Sequence, residues 1–140
     1  MKYLGIIAAI VFLSGCESTP ANYNPSALPT NELATLTTKS VGFLENEVQA
    51  MIVGVYDLEG KQLIGYTSAF EQDRWETVHL EAGTYNIVAI CLLGNSYAHP
   101  RTIQVIEAGA KYNFKCVTEY TKNFLGMDKP DKASLKIEKI

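Results

Sequence analysis

The sequence predicts an all-β fold: a small antiparallel β-sandwich of about seven or eight strands, placed after an N-terminal leader and a proline-broken linker. Three observations carry this. Short runs alternate apolar and polar residues with period two, the spacing that sends successive side chains to opposite faces of a strand. Turn residues separate these runs about every eight to twelve residues, as in sandwiches and barrels. No segment after the leader has the 3.6-residue apolar period of a helix; the nearest, 31–36, is diluted by threonines.

Residues 34–38, Ala-Thr-Leu-Thr-Thr, are β-branched and form the first expected strand. In 49–56, Met51, Val53 and Val55 alternate with Ile52 and Gly54, so this strand is apolar on both faces. Asp57-Leu58-Glu59-Gly60 has turn chemistry, and 61–66 is the returning strand of a hairpin. Over 75–80, Trp75, Thr77 and His79 alternate with Glu76, Val78 and Leu80. The strongest apolar run, 84–93, predicts a central strand. Strands over 100–106 and 111–118 follow, separated by Glu107-Ala108-Gly109-Ala110. The last twenty residues are lysine-rich, yet Leu135, Ile137 and Ile140 fit an edge strand.

One phrase occurs twice. Leu80-Glu81-Ala82-Gly83-Thr84-Tyr85-Asn86-Ile87 returns about 26 residues later as Ile106-Glu107-Ala108-Gly109-Ala110-Lys111-Tyr112-Asn113-Phe114. Each copy enters a Tyr-Asn strand that later carries a cysteine. Tyr85, Ile87, Ala89 and Cys91 share one parity, and Tyr112, Phe114 and Cys116 share another. If both sets face inward, the cysteines lie at matching depths in the core. The apolar-Glu-Ala-Gly-x-Tyr phrase resembles the strand entry of prealbumin-like (transthyretin-like) sandwiches, as in PEGA-type and carboxypeptidase-regulatory-type modules. Across roughly 34–119 the arrangement is similar to small bacterial lipoproteins that carry such a domain and have no assigned activity. This resemblance implies a fold, and function does not follow from fold.

The N-terminus carries a second resemblance. One basic residue, Lys2, precedes an apolar run over 4–13 that is about half the roughly 20 residues a membrane-spanning helix needs. A positive start, a short apolar core and then small residues describe a secretory signal. Leu13-Ser14-Gly15-Cys16 resembles the lipobox of bacterial lipoproteins. That implies cleavage before Cys16, a diacylglyceryl group on its thiol and an acylated new amino terminus. Two or three acyl chains anchor stably where one holds only marginally. Glu17 follows the cysteine; in the lipoprotein family Asp there is the usual inner-membrane retention signal, so Glu17 points to the outer membrane. Residues 1–15 are then a leader and 16–33 a lipidated flexible tether. The sandwich occupies 34–120, and 121–140 form a C-terminal segment with an added edge strand. Pro20, Pro25 and Pro29 favour extended backbone, giving the tether a reach of about 50 Å at most.

Cysteine usage follows from that resemblance. There are three, Cys16, Cys91 and Cys116. Lipidation of Cys16 leaves two in a protein exported to an oxidising compartment, which implies a Cys91–Cys116 disulfide. Two buried free thiols are the alternative.

Charge and motifs restrict the chemistry. About 125 mature residues suffice for one domain. The formal charge is −3, and −4 once Lys2 leaves with the leader, so nucleic acid, which calls for a basic patch, is excluded as a partner. Two histidines, His79 and His99, are too few for a zinc site, and no cofactor or metal is expected. No Gly-x-Ser-x-Gly elbow and no phosphate-binding glycine loop occur. Glu71, Asp73 and Glu76 fit solvated loop charges better than a glycosidase pair. The segments 69–75 and 94–100 are the candidate recognition loops, because loops on rigid sandwiches carry binding and Trp75, Tyr97 and Arg101 are residue types favoured at interfaces. The opposing reading packs Trp75 into the core and lays Tyr97 over an edge.

The expected function is therefore a non-enzymatic binding or structural module, held at the membrane through Cys16 and contacting an envelope protein. A secretion-machine lipoprotein fits this class. Two alternatives remain. One is a lipoprotein inhibitor of a lysozyme-like enzyme, which requires a protruding loop. The other is an envelope hydrolase, which requires a pocket of titratable groups.

Overall fold

A computed structural model of the chain describes residues 19–38, 48–65 and 73–140. Among these residues ten strands form two packed five-stranded sheets. The first sheet has the order β1 (Ala21–Tyr23), β5 (Thr77–Leu80), β2 (Ala34–Thr38), β9 (Lys111–Lys122), β10 (Asp128–Lys139). In the second, β4 (Gln62–Ile64), β3 (Ala50–Tyr56) and β6 (Gly83–Leu93) lie side by side. The far edge of β6 is shared between β7 (Ser96–Ala98) and β8 (Arg101–Ile106). Period-two burial along the strands makes the core. Leu36, Ile52, Val55, Val78, Leu80, Ile87 and Phe114 are each fully enclosed between the sheets. The expected all-β sandwich is therefore the observed architecture.

Two features differ from the expectation. The strands number ten because β1 and β7 join the eight foreseen. The pairing is not purely antiparallel: β1 runs parallel to β5, and β2 runs parallel to β9. After β2 the chain crosses to the second sheet for β3 and β4, returns for β5, crosses again for β6 to β8, and returns for β9 and β10. Such alternation supplies the long connections that parallel neighbours need.

The expected flexible tether over 16–33 requires correction. Residues 16–18 lie outside the described residues, but from Ala21 onward the segment is docked. Its β1 strand pairs with Val78 to Leu80. Tyr23 packs edge-on against Tyr85, with ring centroids 6.3 Å apart. Ser26 donates through both its backbone N–H and its hydroxyl to the Glu81 carboxylate, at 2.6 and 3.0 Å. A 3-10 turn over Thr30–Glu32 leads to Leu33, which is buried. Prolines favour extended backbone, and extended backbone serves an edge strand as well as a solvated linker. Composition alone does not separate the two. The expected domain boundaries move with this: the sandwich begins at β1, and position 120 falls inside β9 rather than after it.

The repeated Glu-Ala-Gly phrase has a shared physical basis. In the first copy the Tyr85 hydroxyl donates to the Glu81 carbonyl at 2.9 Å. In the second, the Glu107 N–H donates to the Tyr112 hydroxyl oxygen at 3.0 Å. Each tyrosine thus ties its strand back to the turn that precedes it. The two turns then hold different termini. Glu81 grips Ser26, whereas Glu107 pairs with Lys139 at the end of β10. Gly109 takes φ 66, and a Cβ there would meet the Asn31 carbonyl oxygen at 2.9 Å, so this turn accepts the N-terminal segment only as glycine.

Burial first, then the nearby Tyr23 and Glu81, raise the Tyr85 hydroxyl above the ordinary tyrosine value of 10.0. The folded state therefore binds this proton more tightly than the unfolded chain. That contribution is fully present below pH 10 and is lost as pH rises through the higher folded value. Tyr85→Phe removes one hydrogen bond, at an expected cost of about 1 kcal/mol near neutral pH. The variant should also lose less stability than the parent above pH 10. Urea unfolding on both sides of that value checks it; equal alkaline losses in the two proteins would assign the effect to other groups.

Candidate functional site

Both faces of β3 and β6 are apolar, as the 49–56 pattern anticipates, and the outward one is the candidate site. Register places its residues. Toward the core lie Ala50, Ile52 and Val55, opposite Cys91, Ala89 and Ile87. Turned outward are Met51 beside Ile90, and Tyr56 beside Asn86. A bulge between Ile52 and Gly54 leaves Val53 without a direct partner and re-aims it outward beside Val88. Gly54 makes room for this face, since a Cβ would stand 2.7 Å from the Tyr56 ring, which lies across the strand. Val53, Val88 and Ile90 form a cluster separate from the main core, with Met51, Tyr56 and Leu92 packed around it.

The face continues onto β7 and β8. Tyr97 pairs with Leu92, Arg101 with Val88, Ile103 with Asn86, and Val105 with Thr84. Tyr97, Ile103 and Val105 are 66%, 65% and 62% exposed. Among the described residues β8 has a strand neighbour only in β6. Asn86 Oδ1, in the row between Tyr56 and Ile103, is buried without a hydrogen-bond partner among the described residues. Exposed apolar side chains at Tyr97, Ile103 and Val105, next to a strand with one neighbour among the described residues, suit a protein ligand.

Two of the three expected binding residues, Tyr97 and Arg101, stand on this face. Tyr97 also meets His99 edge-on at 5.3 Å. Trp75 does not join them. It bridges to Ile52 through both backbone bonds, each 2.9 Å, and its side chain packs half-buried against the main core. The 94–100 segment is also not one loop. A turn at Gly94-Asn95 makes β6 and β7 a hairpin. That dipeptide between two strand-like runs is a hairpin signal, and it was available in the sequence. Residues 66–72, including Glu71, lie outside the described residues, as do the leader 1–15 and Cys16.

Cys91 on β6 and Cys116 on β9 are joined by a disulfide that ties one sheet to the other, with Cα atoms 5.9 Å apart. Both strands turn the expected parity inward, since Tyr85, Ile87, Ala89, Tyr112 and Phe114 are buried with them.

The remaining titratable candidates are dispersed. His79 shares a hydrogen bond of 3.1 Å with the Thr35 hydroxyl on the neighbouring strand. Asp73 and Glu76 are both exposed. Among the described residues no three His, Cys, Asp or Glu side chains are grouped to hold a metal ion, and no helix is long and apolar enough to cross a membrane. No protein-family model, no curated protein and no solved structure matches this chain.

Proposed function

We propose that this chain is a lipid-anchored, non-enzymatic binding module of the bacterial envelope, held through Cys16 at the outer membrane and facing the periplasm. The anchor is supported by Lys2, the short apolar run and Leu13-Ser14-Gly15-Cys16 in the order a lipoprotein leader requires. Pairing of Cys91 with Cys116 leaves Cys16 as the one cysteine outside the bridge, which fits that role. The kinship of the sandwich with prealbumin-like domains belongs to the same proposal and rests on the twice-used Glu-Ala-Gly phrase.

One observation carries the binding reading. On the outward side of the second sheet Tyr97, Ile103 and Val105 stand exposed beside the buried Val53, Val88 and Ile90, and among the described residues β8 pairs with β6 alone. An envelope protein that covers Tyr97, Ile103 and Val105, or adds a strand to β8, would bury this surface. In living cells, a photo-crosslinking residue at Tyr97 should join the protein to a discrete partner. Ile103→Glu with Val105→Glu should abolish that product while changing folding stability by no more than about 0.5 kcal/mol per site, as exposed positions do. An undiminished product from the double variant would remove this face from the interface. Cys16→Ser should move the protein from the membrane to the soluble periplasmic fraction, and unchanged membrane sedimentation would refute the anchor.

A further inference from the structure

The β9–β10 hairpin runs past the body of the sandwich. Cys116 and Leu135, which pair in register, are the last enclosed residues toward its tip. Among the described residues the neighbouring strand β2 pairs with β9 as far as Phe114. From Glu119 to Lys122 every residue of β9 is exposed, and Pro130 is the one half-buried residue in the opposing stretch 128–132. This free stem is about 14 Å long at 3.4 Å per residue.

Its tip is apolar. Phe124 is 95% exposed, with Leu125 and Met127 at 64% and 55%. The turn is held in shape by Asn123, whose side-chain oxygen accepts the N–H groups of Leu125 and Met127 at 2.9 and 3.0 Å. The stem is electroneutral: Lys122, Lys129 and Lys132 are matched by Glu119, Asp128 and Asp131. Lys122 and Asp128 pair directly across the stem at 3.2 Å.

The direction of the arm relates it to the N-terminus. β1 is parallel to β5, β5 antiparallel to β2, and β2 parallel to β9. Strand β9 therefore ends toward the side from which the chain enters β1. Ala21 is five residue steps from Cys16, a reach of about 18 Å at most. An acyl anchor on Cys16 would hold that end of the sandwich within roughly an arm's length of the bilayer.

We infer that Phe124, Leu125 and Met127 insert into the lipid surface that carries the Cys16 anchor, as a second and non-covalent contact that sets the orientation of the domain. This rests on the lipid-anchor reading above. Because the stem has no net charge, the contact is one of apolar burial and does not depend on headgroup charge or ionic strength. Three side chains make it weak alone, and the covalent anchor keeps it at high effective concentration.

The test uses acylated protein reconstituted in phosphatidylcholine vesicles, with and without bromine on the acyl chains. Trp75, half-buried against the core, provides the reference signal of the parent protein. Phe124→Trp should add a blue-shifted emission that brominated lipid quenches several-fold more strongly than the parent signal, equally at low and high salt. A water-exposed, unquenched emission from protein that floats with the vesicles would overturn the inference. So would inhibition of a muramidase by the parent protein that Phe124→Asp abolishes, because the arm would then serve a protein active site. The acyl mass on Cys16 is measured separately. Its absence overturns the anchor, while quenching of Phe124→Trp in the unacylated chain at high lipid still decides the arm.

Discussion

Phe114→Ala is expected to destabilise the domain by about 4 kcal/mol, the largest effect of any single substitution considered for this fold. Phe114 is fully enclosed, the largest such side chain in the core, and it stands between Tyr112 and Cys116 on the inward face of β9. Its strand pairs with Thr38 of β2 on one side and Ile137 of β10 on the other. The packed side chains around it belong to both sheets, so a collapse that filled the void would have to move the sheets against each other. The cost should therefore lie in the upper part of the range for buried aromatics rather than be relieved by local repacking. Urea unfolding checks it: the midpoint should fall with little change in slope. Phe114→Leu, which keeps most of the volume, should cost about 1.5 kcal/mol. Equal losses from the two variants would argue that the site tolerates a cavity. A stability of ordinary size, about 5–15 kcal/mol, leaves little after the alanine change.

Replacing both bridged cysteines, as Cys91→Ala with Cys116→Ala, is expected to cost about 3 kcal/mol in the chain-entropy treatment of a loop of 25 residues. For a domain of this size that lowers the melting temperature by roughly 12 °C. The bridge crosses between sheets, so its loss loosens the unfolded chain and also removes a tie at the end of the core from which the arm projects. Thermal unfolding of the double variant beside parent protein under reducing and non-reducing conditions measures the effect. Reductant should lower the parent to the level of the variant and leave the variant unchanged. A parent insensitive to full reduction would mean that the packing around Cys91 and Cys116 carries the stability instead.

The functional face was only partly legible in the sequence. Tyr97 and Arg101 could be nominated from residue type, and the two-faced apolar pattern of 49–56 announced that β3 would have something to hide on both sides. Ile103 and Val105 could not be nominated. They alternate with Thr102 and Gln104, and a period-two pattern normally puts its apolar set inward. Here the pairing of β8 with β6 turns Ile103 and Val105 outward, beside Asn86 and Thr84. Of the two readings of Trp75, the structure fits the one that packs it against the core, where its backbone bridge to Ile52 holds it.

By itself the sequence determined the local choices. Strand content, the Asp57 turn, the inward parity of the two cysteine strands and the twofold Glu-Ala-Gly turn all follow from side-chain alternation and turn chemistry, which act within a few residues. Tertiary structure alone decided which strands became neighbours. It paired β1 with β5 in parallel, converting a proline-rich stretch into an edge strand. It paired β9 with β10 out to Lys122 and Asp128, carrying Phe124 to the tip of an exposed arm. Among the described residues it also left β8 with β6 as its one strand neighbour. The physical reason is that backbone hydrogen bonding is the same for every partner strand. The choice among partners rests on how apolar faces from distant segments fit together, and that information is not contained in any one of them.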